Sequence, residues 1–524
     1  MAKNIVKTIV MTWALLAAYA CGNHLDNPNP NRLASNQFYE NQGQAVAAVD
    51  AIYNQLIVDG AYMRTYPTMG DGRGDEMRSN GSFPMWDQTA KFIIPPTEAF
   101  IGFVWRDFYI MISRANQVLE HVPAIPNVDE ALRTRLLGQA YFFRGFAYFN
   151  LGTVFEIPPI VLKTPEGAKE FYPSNAGVTQ KDVYEQAKAD VLKSIDMLPD
   201  DYSSVTGADQ GQAGRITRGA ARSLMGKILL YQGDYAGALP YFKAVVDSKV
   251  YSLGANYADL FTQDPAVEAS VPERIFWVEF TTSTSPGYNW GGGEPDASWR
   301  QFLALAPTYS IANFGDYATT AFLYNEMRKE KTIAGKLDPR YHATILSYEP
   351  TEGYVNAYGT DWVTGTNNKP TTSYWIKKYT LAATGGDPFS CGINYHIIRY
   401  ADVLLMYAEC LANTGDIAGA AAQVQTVRNR ASLPNRQAEF AAYNLTQFMD
   451  QLAHERIMEL AVEGLRWYDI VRWGWLDNPA KLAQLKLNDP EFNNFVSIRK
   501  FMPIPQSELD LNVNLVGNHV NKNQ

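Results

Sequence analysis

The sequence predicts a mainly α-helical chain: a scaffold of tetratricopeptide-like helical hairpins carrying a large, irregular, loop-rich insertion with short strands. Three observations carry this. Apolar residues recur at helical spacing towards both ends of the chain. One hexapeptide occurs twice, each time after a helical stretch. Between the two copies the helical period gives way to Gly, Pro, Thr, Asn and aromatic residues.

Residues 1–20 read as an export signal. Lys3 and Lys7 precede an uncharged run from Thr8 to Ala20. That run is shorter than the roughly 20 apolar residues of a bilayer span, and its length suits a signal peptide. Ala18-Tyr19-Ala20-Cys21 resembles the lipobox of bacterial lipoproteins, with Ala18 where Leu is usual. The resemblance implies cleavage before Cys21 and lipidation of that residue, palmitate included; the alternative is ordinary secretion with a free Cys21. Residues 21–40, with Pro28 and Pro30 among asparagines, read as an extended tether. No later segment is apolar for 18 residues, so the mature chain is not expected to span a membrane.

Residues 41–250 read as the first part of the scaffold. Val46, Val49, Ile52, Tyr53 and Leu56 share one helical face, and Leu136, Ala140, Phe143 and Ala147 another. The segments 183–198, 217–231 and 238–246 behave likewise. Gly233-Asp234-Tyr235-Ala236-Gly237-Ala238 repeats as Gly415-Asp416-Ile417-Ala418-Gly419-Ala420, and Gly226 or Ala408 lies seven residues before the first glycine. Gly at the turn and small residues at helix contacts are the marks of stacked helical hairpins. Within this part, residues 66–95 read as a ligand loop, with Gly70-Asp71-Gly72-Arg73-Gly74-Asp75-Glu76 followed by Trp86. Residues 251–395 form the insertion, where Ile275–Val278 reads as a strand. Trp277, Tyr288, Trp290, Trp299, Tyr354, Tyr358, Trp362, Tyr374 and Trp375 concentrate there. Residues 396–524 return to helical texture as the second part of the scaffold.

Composition narrows the function. The 524 residues are 46% hydrophobic and 19% charged, enough for a packed core and too apolar for bulk disorder. A net charge of −9 repels polyanions, so nucleic acid is not an expected partner. Three cysteines make no disulfide framework, although Cys391 and Cys410 could pair. Six scattered histidines offer no zinc spacing, and no cofactor or metal is expected; a structural divalent cation has no ligand motif to indicate it. Neither G-x-S-x-G nor a phosphate-binding G-x-x-x-x-G-K-[ST] loop occurs. His454-Glu455-Arg456-Ile457-Met458 starts like a zinc-protease helix but has Met at the second ligand position. A glycosidase needs only two carboxylates, for which Asp75 and Glu76 are the loop candidates.

The sharpest motif lies near the C-terminus. Residues 455–474, Glu-Arg-Ile-Met-Glu-Leu-Ala-Val-Glu-Gly-Leu-Arg-Trp-Tyr-Asp-Ile-Val-Arg-Trp-Gly, resemble the signature run of SusD/RagB-type lipoproteins. Ile398–Glu409 and Pro503-Ile504-Pro505-Gln506-Ser507-Glu508 resemble two further segments of that family. The charges at 455, 456, 459, 463, 466, 469 and 472 alternate at i, i+3 and i+4 spacing, which predicts a partly buried ion-pair network that fixes helices, with Gly464 as a break or close contact.

The resemblance implies a SusD-like, non-catalytic lipoprotein of the outer membrane, facing the cell exterior. It also implies capture of oligosaccharides or polysaccharides and delivery to a SusC-type TonB-dependent transporter. The rival readings are a surface glycoside hydrolase and a peptide-binding lid of the same transporter type. The aromatic excess, 13% of residues with 31 Tyr and 11 Trp, suits glycan stacking on its own terms. Loop context selects Trp290, Trp299, Tyr288 and Trp86 as stacking rings, with Arg73 and Asp75 as polar edge partners.

Overall fold

The computed structural model describes residues 38–523 apart from 82, 168–169, 282–314, 365–369 and 381–390. It is mostly helical with a few short strands, as the sequence predicts. The segments read as signal and tether, with Cys21, lie outside the described residues but for 38–40.

Helix α1 (Gln42–Tyr53) is capped by Asn41, whose side chain accepts the Gln44 N–H at 3.0 Å. The short α2 (Thr65–Gly72) precedes α3 (Ala99–His121), α4 (Glu130–Phe155) and α5 (Gln180–Met197). Helices α4 and α5 form a close hairpin. Gly138, Gly145 and Gly152 stand every seventh residue along α4 and make a groove for it. A β-carbon on them would stand 2.8 Å from Met197 Cβ, 2.7 Å from Val191 Cγ2 and 2.9 Å from Val183 Cγ1, respectively. Because a heptad stays near one helix face, the three glycines let the two backbones approach along their length.

The repeated hexapeptide makes the same turn twice. It joins α6 (Arg218–Tyr231) to α7 (Tyr235–Asp247), and α8 (Tyr400–Asn413) to α9 (Ile417–Arg430). Gly233 and Gly415 take φ of +74° and +96°, which only glycine adopts without strain. Asp234 and Asp416 each cap the next helix by accepting an N–H at 2.8 Å, from Gly237 and Gly419. Gly226 lies against the Phe242 ring, the close contact its position implies. Helix α7 packs on α8, so the two parts of the scaffold rejoin across the insertion.

Among the described residues there are four antiparallel strand pairs: β1 (Met77–Ser79) with β3 (Tyr317–Thr319), β2 (Arg274–Val278) with β8 (Tyr395–Arg399), β4 (Ile345–Ser347) with β7 (Tyr374–Ile376), and β5 (Asn356–Ala357) with β6 (Thr360–Asp361), so that all but β1 lie in the insertion or lead out of it. The predicted strand at 275–278 is thus present, and it is fixed to the residues that lead into α8.

The signature run occupies α10 (Leu445–Leu460), a turn, and α11 (Arg466–Arg472). Its charges are buried. Glu459 receives Arg340 at 3.0 Å, Arg399 at 2.6 Å, and Arg430. Glu455 pairs with Arg340 and Arg428, and Glu463 with Arg399 and Lys378. Arg456 holds Asp402 at 2.9 Å and Asp469 at 2.6 Å, while Arg472 holds Glu409 and Asp469. The network is as expected, but most partners come from other elements; within the run only Arg456–Asp469 and Arg472–Asp469 pair among the described residues. Gly464 sits in the turn at φ +73°, with the Tyr395 hydroxyl 2.8 Å from where a β-carbon would be.

Gly145→Ala places its methyl against the Val191 side chain and the Ala187 carbonyl of α5. Overpacking of this kind costs about 1–3 kcal/mol, and urea unfolding should show the loss, with the far-ultraviolet circular dichroism of the folded protein unchanged.

Candidate functional site

Residues 66–77 are not a surface loop but a buried strap beneath the signature turn, and Trp86 is buried as well, which corrects the expectation for three residues. Trp86 is 2% exposed, enclosed by Phe83, Phe100 and Tyr317 with ring centroids 5.8–6.3 Å away. The Arg73 guanidinium lies 4.0 Å from the Trp467 ring centroid and donates to the Arg499 carbonyl. Asp75 binds Arg466 through both oxygens, at 2.7 and 3.0 Å, and accepts from Asn488 at 2.7 Å. Rings and charges here are spent inside the fold. The glycines serve close approach: a β-carbon at Gly70 would stand 2.6 Å from the Gly464 carbonyl oxygen.

The strap's other acids hold the turn. Asp71 accepts the Gly464 N–H at 2.6 Å, and Glu76 accepts the Val462 N–H at 3.1 Å. Burial pushes Asp71 up to about 7 and Glu76 up to about 8. Among the described residues oxygen Oδ2 of Asp71 has no hydrogen-bond partner, which suits a carboxyl that keeps its proton. Asp75 and Glu76 are closed to solvent, so as the loop candidates for a glycosidase they cannot flank a substrate.

Trp290, Trp299 and Tyr288 lie outside the described residues. The chain on either side of them is located: strand β2 leads to Thr281, and the return at Gly315 and Asp316 is held by Asn80, whose N–H donates to the Asp316 carbonyl at 2.9 Å. Cys391 and Cys410 are both buried, and no disulfide joins the two.

Exposed rings appear elsewhere on the insertion. The β4/β7 register sets Leu346 opposite Trp375, on the face away from the pairs Ile345–Ile376 and Ser347–Tyr374. Leu346, Trp362 and Ala357 form a small buried cluster, around which Tyr348, Tyr358 and Trp375 stand partly exposed. Trp375 leans on Trp362 at 5.5 Å between centroids, and the Trp362 indole N–H donates to the Pro370 carbonyl at 3.3 Å. Tyr354, 40% exposed, stacks on His342 at 3.6 Å with the planes 11° apart. Burial drops His342 to about 4, so this stack joins two neutral rings at neutral pH. Lys377 donates to the His342 carbonyl at 2.8 Å, with its ammonium 5.9 Å from the Tyr354 ring centroid.

Flat apolar faces beside polar groups can hold the C–H face of a sugar while hydroxyls bond at its edge. The sequence singled out Trp375, Tyr354 and Tyr358 as aromatic but passed over Tyr348. Its signal is the strand Ile345-Leu346-Ser347 running into a ring that shares a face with Leu346. Among the described residues no group of His, Cys, Asp and Glu could hold a metal ion.

Comparison with known proteins gives two matching family models: "SusD family" over residues 272–520, and "Starch-binding associating with outer membrane" over residues 23–230. A SusD-like protein P38 of Formosa agariphila is 23% identical, over 90% of this chain and 91% of its own length. A solved SusD superfamily protein of Bacteroides vulgatus superposes with a TM-score of 0.78 at 23% identity, over 92% of this chain and all of that one. A laminarin-binding SusD-like protein superposes with a TM-score of 0.73 at 27% identity, over 92% of this chain and 100% of its own.

The buried carboxyls give a pH dependence. Their folded values exceed the ordinary 3.8 and 4.5, so between about pH 4 and pH 8 the fold keeps protons that the unfolded chain has lost. Stability from these groups therefore falls as pH rises through that window. The variant Asp71→Asn/Glu76→Gln should gain stability relative to the parent on going from about pH 5 to about pH 8, measured by denaturant unfolding at each pH; a pH-independent difference would refute it.

Proposed function

The chain belongs to the SusD/RagB family, and from that premise we propose that it is a non-catalytic surface protein that binds oligosaccharides or polysaccharides and hands them to a TonB-dependent outer-membrane transporter. The observation that carries the reading is the set of partly exposed rings, Tyr348, Tyr354, Tyr358 and Trp375, displayed on an insertion that the buried ion network holds in place. A relative of the same fold binds laminarin, and the model matching residues 23–230 describes starch binding at the outer membrane; both support a glycan as the ligand. One ring on one sugar is weak, and several along a chain add up, which suits capture of polymers. The reading keeps Trp290, Trp299 and Tyr288 as stacking rings of the same insertion and Cys21 as the lipidated anchor.

Affinity electrophoresis and calorimetry against a panel of soluble polysaccharides, laminarin and starch included, should show binding with no reducing ends released; release would favour the hydrolase reading. Trp290→Ala and Trp375→Ala should each weaken binding of the retained glycan by about 1–3 kcal/mol with the melting temperature nearly unchanged; equal affinity removes that ring from the site. Cells fed labelled palmitate should label the chain, and Cys21→Ser should abolish the label.

A further inference from the structure

The rings of the insertion do not account for a second feature of the surface. Where α1 runs out, an open cleft of about 490 Å³ lies between that helix end, the 212–215 turn and the last residues of β2. Its volume falls within the roughly 300–1,000 Å³ of small-molecule sites. Its lining is mixed: the Trp277 indole, the Asp50 carboxylate, Asn54, Gln212, Arg215 and Glu279.

The polar side is already built. Arg215, with a side chain 7% exposed, donates to Asp50 Oδ1 at 2.7 Å and to Gln139 Oε1 at 3.1 Å, and its guanidinium carbon lies 5.7 Å from the Tyr53 ring centroid. Tyr53 is fixed in turn, donating to Gln139 Oε1 at 2.7 Å and accepting the Ile216 N–H at 2.9 Å. The Asp50 side chain remains half exposed. An acceptor-only carboxylate beside a donor-only guanidinium, with an amide on either side, matches adjacent hydroxyls, each of which both donates and accepts. Trp277 is partly exposed, with the Arg274 guanidinium 4.7 Å from its ring centroid and its indole N–H donating to Glu279 Oε1 at 3.4 Å. An indole beside such a polar wall suits one class of ligand better than any apolar one. Groups fixed before binding lose little entropy when it arrives.

We infer that this cleft is a separate carbohydrate subsite, in which Trp277 stacks on a pyranose ring and Asp50 and Arg215 take neighbouring hydroxyls. The inference rests on the glycan-binding reading above and extends it to a surface formed largely by the helical scaffold.

The test uses full-length protein labelled with 5-fluorotryptophan and titrated with laminarihexaose and with maltohexaose, the Trp277 resonance being assigned from Trp277→Phe. A saturable shift of that resonance is expected, with Asp50→Asn and Trp277→Leu each weakening the corresponding affinity about tenfold and leaving the response of Trp375 in place. Movement of Trp375 or other indoles with Trp277 unmoved would overturn the subsite and leave the glycan-binding reading standing. No movement at any indole, together with no retardation on any polysaccharide of the panel, would overturn that reading and the subsite with it.

Discussion

The structure depends on a set of charges taken out of water. Glu455, Glu459 and Glu463 recur every fourth residue from the last turn of α10 into the following turn, and they meet Arg340, Arg399, Arg428, Arg430 and Lys378 from the insertion, β8 and α9. Burying each ion costs several kcal/mol, and losing one partner leaves another uncompensated. Each charge therefore depends on partners from several elements at once. The network's contribution is to position: elements more than a hundred residues apart in the chain can sit against α10 in one way only.

The early strap follows from the same constraint. The turn between α10 and α11 exposes main-chain N–H groups at Val462 and Gly464 inside the protein, where no solvent can satisfy them. Asp71 and Glu76 supply the acceptors, and Arg466 finds Asp75 on the same segment. Glycine at 70 lets the strap come close enough to do so. Burial away from water, which the main-chain donors offset only in part, raises both acids towards neutral pH.

A frame fixed in this way can afford loops with little core of their own. The ring cluster of the insertion rests on Leu346, Ala357 and Trp362, a small satellite of the main core. Tyr348, Tyr358 and Trp375 pack against it and remain partly exposed, so their orientation is set without any ligand. Order without full burial is what a stacking surface requires.

The helices, the two-fold use of one turn and the family were legible in the sequence, because each rests on local rules: helical spacing of apolar residues, glycine at positive φ followed by a capping Asp, and a run of charges whose order is itself the motif. The burial of that run was legible too, since so many exposed pairs would stabilise little. What the sequence could not decide is which polar and aromatic residues face inwards. Gly70–Glu76 has the composition of a solvent loop, and Trp86 that of a displayed ring, yet both lie inside; Tyr348 drew no attention and stands at the surface. Exposure is a property of contacts across the chain. Trp86 is covered by Tyr317 and Asp75 is claimed by Arg466, partners more than two hundred residues away, and only the tertiary fold brings them together.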